Sequence, residues 1–431
     1  MSRPAAVPAS SASDVQAQAG PAVDAGPGYL DPAARRRAQW ALFAAGFATF
    51  SLLYCVQPLL PLFTDAFRVT PTQSSLALSL STGTLSLSIF LVGLWSQALP
   101  RKGLMAASLL GSALLVIAAA LASGWHTLLV LRALLGVVLG GVPAVAMAYL
   151  AEELDPRTLG AAMGLYIGGS AFGGLSGRVI TGAVSDVLDW RHAMGVVGVT
   201  GLLAALLFIW LLPASRRFVP RRGNGLAAVR EGLSRHLRHP PLMGLFAVGC
   251  LLMGAFVTVY NYMGFRLLQP PFSLSQTFIG AIFVVYLVGI AASTLFGRLA
   301  DHHGRGPMLT LGTLLALGGL LLTLSGNLAV IVAGLVVFTF GFFAAHSVAS
   351  GWVGQLARGY KAQAASLYLL AYYLGSSVLG SLGGQSWSAG GWVGVTELCG
   401  GLVVVALGIS VWVGRGVASS DPAGAAAPQQ Q

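Results

Sequence analysis

Charged side chains are the scarcest class of residue in this chain. Only 9% of its 431 residues are Asp, Glu, Lys or Arg, whereas 56% are hydrophobic. A chain of this length with so little charge cannot present the polar surface that solubility in water requires. The composition therefore predicts a membrane protein and excludes a soluble domain built around a large core.

Cysteine is almost absent, and Cys55, Cys250 and Cys399 all lie inside apolar runs. This placement favours a packing role and argues against a disulfide framework. The sequence also lacks His, Cys or Asp clusters at metal-ligand spacing, a G-x-S-x-G elbow and a phosphate loop with Lys. We therefore expect no metal site, no cofactor, no catalytic residue and no enzymatic activity.

Acidic residues are few compared with basic ones, since 13 Asp and Glu stand against 24 Lys and Arg, for a net charge of +11. The basic residues occupy short turns beside apolar runs and do not form a face with aromatic stacking platforms. We interpret them as a topology signal, and we expect no nucleic-acid partner.

Long apolar runs are what the chain has in abundance. A membrane-spanning helix needs about 20 mostly apolar residues. Twelve such runs predict spans at 38–62, 73–97, 103–122, 126–149, 158–182, 191–212, 241–264, 275–299, 306–324, 328–350, 361–387 and 391–413. The predicted fold class is an all-α membrane protein with twelve transmembrane helices in the lipid bilayer.

Polar stretches divide these spans into two groups of six. The longest interruption, 213–240, carries seven Arg and is the predicted cytoplasmic linker between an N-terminal bundle, 38–212, and a C-terminal bundle, 241–413. Residues 1–37 and 414–431 are low in complexity, which predicts two disordered tails.

The distribution of basic residues predicts the orientation of the chain. Seventeen Lys and Arg near span ends fall on the side of both termini and the linker, and only Arg68, Arg191 and Arg266 fall on the other side. Because cytoplasmic loops carry an excess of Lys and Arg, both termini and the linker are predicted to be cytoplasmic.

The two bundles form an internal repeat and are therefore pseudo-symmetric. Residues 93–101 map onto 297–305 at an offset of 204, and at that offset Gln57 of span 1 falls opposite Asn261 of span 7. Tyr166 and Tyr368 are related by an offset of 202. Transporters built from such repeats bind their substrates between the halves, near the bilayer midplane.

The turns at 93–101 and 297–305 share the pattern G-x-x-x-D-x-x-G-R, which is complete in the second copy. It resembles the signature of the major facilitator superfamily of secondary transporters, at the loops joining helices 2 and 3 and helices 8 and 9. The resemblance covers nearly all of residues 38–413 and implies the major facilitator fold. In that family the acid and the Arg of the turn lock the cytoplasmic gate. The resemblance thus implies gating roles for Gly93, Gln97, Arg101, Gly297, Asp301 and Arg305.

The first copy departs from the family pattern, because Gln97 replaces the acid and Pro100 replaces the Gly. An amide can still accept a hydrogen bond, but the charge is lost. We therefore expect a weaker latch in the first half, with Asp301 and Arg305 holding more of the gate.

Three other spans carry family-like motifs. Arg132, four residues before Gly136 in span 4, is similar to a family motif credited with proton transfer, although a structural Arg snorkelling to the interface is the alternative. Residues 169–174 of span 5 look like the antiporter motif G-P-x-x-G-G, with Ser170 in place of Pro. This resemblance favours efflux as the direction of transport, and a helix whose glycines serve only close packing is the alternative. Residues 54–61 of span 1 resemble the twelve-helix drug:proton antiporter branch.

Glycines form two rows at a spacing of four in span 5, and both rows are sites where a partner helix can approach closely. One row comprises Gly160, Gly164 and Gly168, and the other comprises Gly169, Gly173 and Gly177.

Four embedded residues are candidates for proton coupling, namely Arg132, Arg178, His346 and Glu397. No acid lies in the middle of span 1 or span 4. His346 is of interest because imidazole titrates near neutral pH in water, although a packing role is equally consistent with the sequence. Glu397 is expected to pair with Arg178 near the outer face.

Aromatic and amide residues mark the candidate substrate site, which comprises Tyr54, Gln57, Tyr166, Tyr260, Asn261, Tyr368 and Tyr372. Such a wall suits an amphipathic or aromatic solute, through apolar area and a few hydrogen bonds. Core packing is the alternative for each of them, and the adjacent Tyr372 and Tyr373 cannot both face the cavity.

Three functions remain open at this point. We expect a proton-driven exporter of small organic or amphipathic solutes, acting as a monomer in the plasma membrane, of the bacterial inner-membrane type. A symporter or facilitator that imports a sugar, an organic acid or another metabolite is the alternative, favoured by Ser170 and by the missing carboxylates. A receptor or enzyme is disfavoured, because neither a sensor domain nor a catalytic motif is present.

Overall fold

The computed structural model of the protein describes residues 29–95, 100–218, 226–357 and 359–419. In this part of the chain every regular element is a helix. The twelve spans, numbered α1 to α12, are Pro32–Phe67, Pro71–Trp95, Arg101–Ala120, Trp125–Glu153, Pro156–Val187, Trp190–Leu211, Pro240–Leu268, Gln276–His303, Arg305–Leu322, Leu328–Leu356, 361–389 and 392–419. One more helix, Leu226–Leu237, lies in the linker and is called the linker helix.

Ten helical segments of the described chain are long and apolar enough to cross a membrane. One of these ten, which starts at Lys361, makes two crossings, because its backbone leaves the helical conformation at Gly390 and Gly391. A twelfth crossing is α5, whose 32 residues suffice in length but include glycines and polar residues that lower its hydropathy. The predicted all-α fold with twelve crossings is confirmed.

The two ends of the bundle are named by their turns. The linker end holds the linker and the turns after α2, α4, α8 and α10. The far end holds the turns at 68–70, 121–124, 188–189, 269–275, 323–327 and 390–391. Gly414, near the end of α12, packs against Gly306 at the start of α9, so α12 returns to the linker end. We call α1–α6 the first half and α7–α12 the second half.

Helix ends differ from the predicted boundaries at three places. The Asp31 carboxylate accepts a hydrogen bond from the Ala34 backbone N–H at 2.8 Å and begins α1 at Pro32, so the last residues of the predicted tail, 32–37, are helical. The linker helix interrupts the predicted linker, and α12 continues to Ser419, into the predicted C-terminal tail. Residues 1–28 and 420–431 lie outside the described residues.

Two prolines break α1 near its far end. The helix stops at Tyr54, a short 3-10 turn covers Gln57–Leu59, and the helix resumes at Leu60. Pro58 and Pro61 cannot donate backbone hydrogen bonds, which explains why regular helix does not continue through this stretch. The bend places Tyr54 and Gln57 at the interface between the halves.

One of the two glycine rows of α5 packs against α1. A side chain at Gly169, Gly173 or Gly177 would collide with backbone atoms of Phe43, Phe47 or Ser51, so the backbones of the two helices approach closely here. This part of the glycine prediction is confirmed. The other row, Gly160, Gly164 and Gly168, has open space at every position. In this conformation no described helix packs on that row.

The two halves meet along unequal seams. Helices α2 and α11 touch from end to end, because Gly384 packs on Thr72 near the far end and Ser366 lies beside Gly93 near the linker end. Helices α5 and α8 meet closely near the far end, where Gly182 packs on Gly280. Nearer the linker end the α5–α8 seam is open, because Gly164 and Gly168, on the same face of α5 as Gly182, have no described residue packed against them.

Candidate functional site

A hydrogen bond joins the two halves through residues that the repeat makes equivalent. The Gln57 Nε2 of α1 donates to the Asn261 Oδ1 of α7 at 2.8 Å. Both side chains are buried, with 2% and 1% exposure. The offset of 204 placed these residues opposite each other in the sequence, and the structure brings them into direct contact across the seam.

Arg178 of α5 lies beside this bond. Its Nε donates to Gln57 Oε1 at 2.8 Å, and its Nη1 donates to the Gly174 carbonyl at 2.7 Å. Three aromatic rings surround the guanidinium, at 4.2 Å for Tyr54, 4.6 Å for Phe283 and 4.8 Å for Tyr286. Cation–π attraction of this kind compensates in part for the removal of the charge from water.

We name this arrangement the Arg178 cage, which consists of Arg178, Gln57, Tyr54, Phe283 and Tyr286. Its residues come from α1 and α5 of the first half and from α8 of the second half. Phe283 and Tyr286 escaped the sequence analysis, although both are aromatic residues of a predicted span. Their role depends on which face of α8 points inward, and the apolar pattern does not reveal that face.

The expected ion pair between Glu397 and Arg178 does not form. Glu397 lies on an exposed face of α12, whereas Arg178 is buried against α1 and α8. Similar depth in the membrane was the basis of that expectation, and depth alone does not place two helices side by side. Among the described residues, Arg178 has no carboxylate partner.

Arg132 of α4 is fully buried and bonded to three backbone carbonyls. It donates to Ala77 at 2.8 Å, to Leu52 at 3.1 Å and to Leu53 at 2.5 Å. Leu52 and Leu53 are the last residues before the break in α1, where backbone acceptors need partners from elsewhere. The side chain therefore does not snorkel to the interface, and these contacts hold α1, α2 and α4 together.

His346 of α10 contacts the aromatic residues of α11. Its Nδ1 lies 2.9 Å from the Tyr368 hydroxyl, and its ring is 4.6 Å from the Tyr372 ring, centroid to centroid. His346 and Tyr372 are half-buried, whereas Tyr368 is buried. Ring contacts continue from His346 through Phe342 and Phe256 to Tyr286 of the Arg178 cage, with centroids 6.0, 3.8 and 5.2 Å apart in turn. Aromatic contacts therefore connect His346 with the seam between the halves.

The remaining candidates line the same region from more buried positions. Tyr260 of α7 bonds to the Thr339 hydroxyl at 2.6 Å and packs 4.9 Å from the Tyr286 ring. Tyr166 of α5 is also buried. Of the adjacent pair Tyr372 and Tyr373, the second is the more buried one, in agreement with the expectation that both cannot face one cavity.

Asp186 joins the two halves at the far end. It was not among the candidate residues taken from the sequence. This last-turn residue of α5 accepts hydrogen bonds from the Gln276 backbone N–H at 3.2 Å and from the Thr277 hydroxyl at 2.7 Å. The carboxylate thus caps the N-terminus of α8 in the other half, where backbone N–H groups favour a negative charge. A sequence gives no sign of such a partner, because an Asp in a turn usually faces water.

At the linker end each gate Arg has an acidic partner. Arg101 pairs with Glu152 of α4 at 2.8 Å, and Arg305 pairs with Asp301 at 3.2 Å. Gln97 lies outside the described residues. Glu152 was missed by the sequence analysis, and it brings to Arg101 the negative charge that the first copy of the motif lacks.

The second gate turn borders a cleft of about 400 Å³. Asp301, Arg305, Trp352 and Gly414 contribute to its walls, so the turn contacts both α10 and α12. Gly93 of the first turn lies beside α11, whereas the space around Gly297 is open. The two copies of the motif therefore have different surroundings in this conformation.

Comparison with known proteins places this architecture in a family. Residues 42–376 match the Major Facilitator Superfamily. YybF of Bacillus subtilis (strain 168), described as an uncharacterized MFS-type transporter, is 46% identical over 386 residues, which cover 90% of this chain and 95% of YybF. YnfM of Escherichia coli (strain K12), described as an inner membrane transport protein, is 42% identical over 371 residues, covering 86% and 89%.

A solved structure shares the fold at low sequence identity. It is a bacterial homologue of the human lysosomal transporter Spinster, in an inward-facing and unoccupied conformation. The two chains superpose with a TM-score of 0.70 at 15% identity, over 90% of this chain and 98% of the other. Together with the twelve crossings and the paired gate turns, these similarities show that the chain belongs to the Major Facilitator Superfamily of membrane transporters.

Proposed function

We propose that this transporter exports small organic or amphipathic solutes from the cytoplasm in exchange for protons. The observation that carries the proposal is the contact between His346 and Tyr368 at the wall of an aromatic site shared by both halves. Titratable groups inside a membrane protein are rare and concentrate on ion and proton pathways.

The closed far end supports a working cycle that starts from the cytoplasm. Its contacts across the halves are a few hydrogen bonds and the glycine packings of Gly182 on Gly280 and Gly384 on Thr72, and such contacts can break and re-form as the halves rock. The half-buried His346 and Tyr372 lie on the linker-end side of the Arg178 cage. If the linker end is cytoplasmic, a solute in the cytoplasm reaches the aromatic residues first.

Charge distribution supports that orientation. The basic residues of α1, the linker helix and the gate turns lie at the linker end. By the positive-inside rule this end faces the cytoplasm of a bacterial cell, with both termini on that side. The description of YnfM as an inner membrane transport protein supports the same membrane for this chain.

The gate residues complete the proposed cycle. We assign Gly93, Gln97, Arg101, Gly297, Asp301 and Arg305 to closing the linker end when the transporter faces outward. In this conformation, which is open at the linker end, Arg101 pairs with Glu152 within the first half. We still propose that the first latch is the weaker one in the outward-facing state, with Asp301 and Arg305 holding more of the gate. In the second copy the Arg pairs with the acid of its own turn, whereas in the first copy it pairs with Glu152 of α4.

Proton flux in inverted vesicles tests the proposal. Vesicles carrying the protein and a pH reporter are given a proton gradient and exposed in turn to ethidium, benzoate and xylose. We expect one of these solute classes to dissipate the gradient. We expect His346→Gln to abolish that effect, because glutamine cannot bind the proton, and we expect the control His192→Gln, in an exposed far-end turn, to preserve it.

Import of a nutrient is the second candidate, favoured by the absence of acidic residues from the middle of the described α1 and α4 helices and by Ser170 in the antiporter-like motif. Solute and protons entering together would establish a symporter, and solute flux without any pH change would establish a facilitator. Either result would contradict the proposed exchange.

A further inference from the structure

The positive charge of Arg178 has no counter-charge in the described part of the chain. Two other buried arginines differ from Arg178: Arg132 donates from all three guanidinium nitrogens to carbonyls, and Arg101 pairs with the Glu152 carboxylate. Arg178 uses Nε and Nη1 on two neutral acceptors, and its Nη2 makes no hydrogen bond to any described residue. A buried cation in this state is stabilised by an anion that the protein itself does not supply.

The directions of the hydrogen bonds around Arg178 leave donors in excess over acceptors. A guanidinium can only donate, so the oxygen of the Gln57 amide must face Arg178. The Gln57 nitrogen then faces Asn261 and binds its oxygen, which leaves Asn261 Nδ2 as a buried donor without an acceptor. Every amide oxygen in this chain of contacts is occupied, whereas donors remain free.

The repeat explains where the free donor points. The position equivalent to Arg178 in the second half is Gly380, at the offset of 202. The site of the missing Gly380 Cβ lies 3.7 Å from Asn261 Nδ2 and 3.8 Å from Ser79 Oγ. Both of these buried atoms lack a hydrogen-bond partner among the described residues. Because Gly380 has no side chain, Asn261 Nδ2 and Ser79 Oγ remain uncovered at the position where the first half carries the Arg178 cation.

We propose that the Arg178 cage is the recognition site for the carboxylate of a small organic anion, and that this anion is the class of substrate transported. The carboxylate accepts hydrogen bonds from Arg178 Nη2, and the apolar body of the anion packs on the aromatic side chains towards Tyr372. This inference rests on the transport function proposed above and specifies its substrate.

The chemistry of the cage favours a weakly hydrated monoanion. Three rings within 5 Å of the guanidinium leave little room for the water that a phosphate dianion would retain. An aromatic or aliphatic carboxylate loses less bound water on entering the cage than a phosphate dianion does, and its apolar body contacts the rings. A cationic drug would instead face the repulsion of Arg178 at short range.

Ligand-dependent thermal stability of the purified full-length protein tests the proposal, because a ligand that binds the folded state raises the melting temperature. The probes are sodium benzoate, the neutral isostere benzamide and benzylammonium chloride, each compared with sodium chloride at equal ionic strength. We expect benzoate to bind at least about tenfold more tightly than benzamide, since hydrogen bonds to charged groups account for a difference of that order. Benzylammonium should not bind.

Substitutions identify the residue responsible. Arg178→Gln should reduce the affinity for benzoate to that for benzamide, and Arg178→Lys should keep a preference for the anion. Arg191→Gln is the matched control, because Arg191 also lies over a ring, Trp190 at 4.3 Å, and donates to two carbonyls, but sits at the far-end surface. It should leave benzoate binding unchanged. If Arg178→Gln does not fold, the test rests on two other results: the relative affinity of the wild-type protein for benzoate and benzamide, and the preference of Arg178→Lys for the anion.

The proposal is overturned if benzoate fails to bind, if it binds no better than benzamide, or if Arg178→Gln retains the preference. Those results leave the proton-flux experiment untouched, so the transporter would still be an exchanger of another solute class. Conversely, benzoate binding without proton movement for any solute would refute the proposed exchange while supporting the anion site.

Discussion

Arg132 and Arg178 show how two buried residues of one type acquire different roles from their neighbours. Arg132 donates through Nε, Nη1 and Nη2 to carbonyls on α1 and α2 within its own half, so we assign it to structure. Arg178 is held by a side-chain amide and aromatic rings at the seam and keeps a donor free. Both belonged to the proton-coupling candidates, and His346 now remains the most suitable of the four.

The role assigned to Arg132 predicts a loss of stability when its charge is removed. Arg132→Leu leaves the carbonyls at the break of α1 without their donor and should lower the free energy of unfolding by about 2–4 kcal/mol. Arg132→Lys should recover part of that loss, because an ammonium can bind fewer of the carbonyls. Melting temperatures in detergent measure both effects. A role confined to proton transfer would instead alter the pH dependence of transport and leave melting unchanged.

Among the helices, α5 makes two different contacts and leaves a third region open. Gly169, Gly173 and Gly177 press on α1, Arg178 and Gly182 meet the second half near the far end, and the Gly164 face is open. Helix α5 thus connects a permanent contact within its own half with a contact between halves that can be lost. The rigid glycine contact allows α5 to move with α1 as a unit.

A matched pair of glycine substitutions tests this division of α5. Gly173→Val places its Cβ against the Phe47 carbonyl and should destabilise the protein by about 1–3 kcal/mol or more, because two backbones must separate. Gly164→Ala meets open space and should leave stability unchanged or raise it by up to about 1 kcal/mol, the helix propensity of Ala over Gly. Thermal unfolding of both variants is the measurement, and equal losses would refute the assignment.

The ion pair of the first gate turn gives a prediction for α3 and α4. Arg101→Glu or Glu152→Arg alone places like charges together and should each cost about 1–3 kcal/mol of stability. The double exchange should restore much of that loss, and a double-mutant cycle from thermal unfolding isolates the pair. Strictly additive losses would show that the two side chains do not interact in the protein.

Sequence reasoning succeeded where the repeat or a motif constrained the outcome. The offset of 204 marked Gln57 and Asn261 as equivalent positions, which the structure then shows in contact, and apolar runs located twelve crossings. Partners across helices, such as Asp186 with Thr277 or Phe283 with Arg178, were not accessible to it. Lipid and protein interior are both apolar, so the hydrophobic pattern of a membrane helix does not reveal which face points inward. For that reason the expected ion pair between Glu397 and Arg178 was wrong.

At the scale of the whole molecule, the two halves meet in a conformation closed at the far end. Asp186 caps α8, Gln57 bonds to Asn261, and Gly182 packs on Gly280. Nearer the linker end, the open glycine row of α5 provides a surface on which α8 can pack in the opposite conformation. We expect the two ends to open and close reciprocally, with Gln57 and Asn261 acting as the far-end contact that must break.

Distances between paired spin labels measure directly whether the far end and the linker end open and close reciprocally. In a background with the three cysteines replaced by alanine, one pair of labels occupies Val187 and Gln269 at the far end, and another occupies Arg157 and His302 at the linker end. Replacing Gln57 and Asn261 together by leucine removes the bond between halves. If the two ends open and close reciprocally, the far-end distance becomes longer and the linker-end distance shorter in that variant. Two distances that remain unchanged, or that lengthen together, would contradict it.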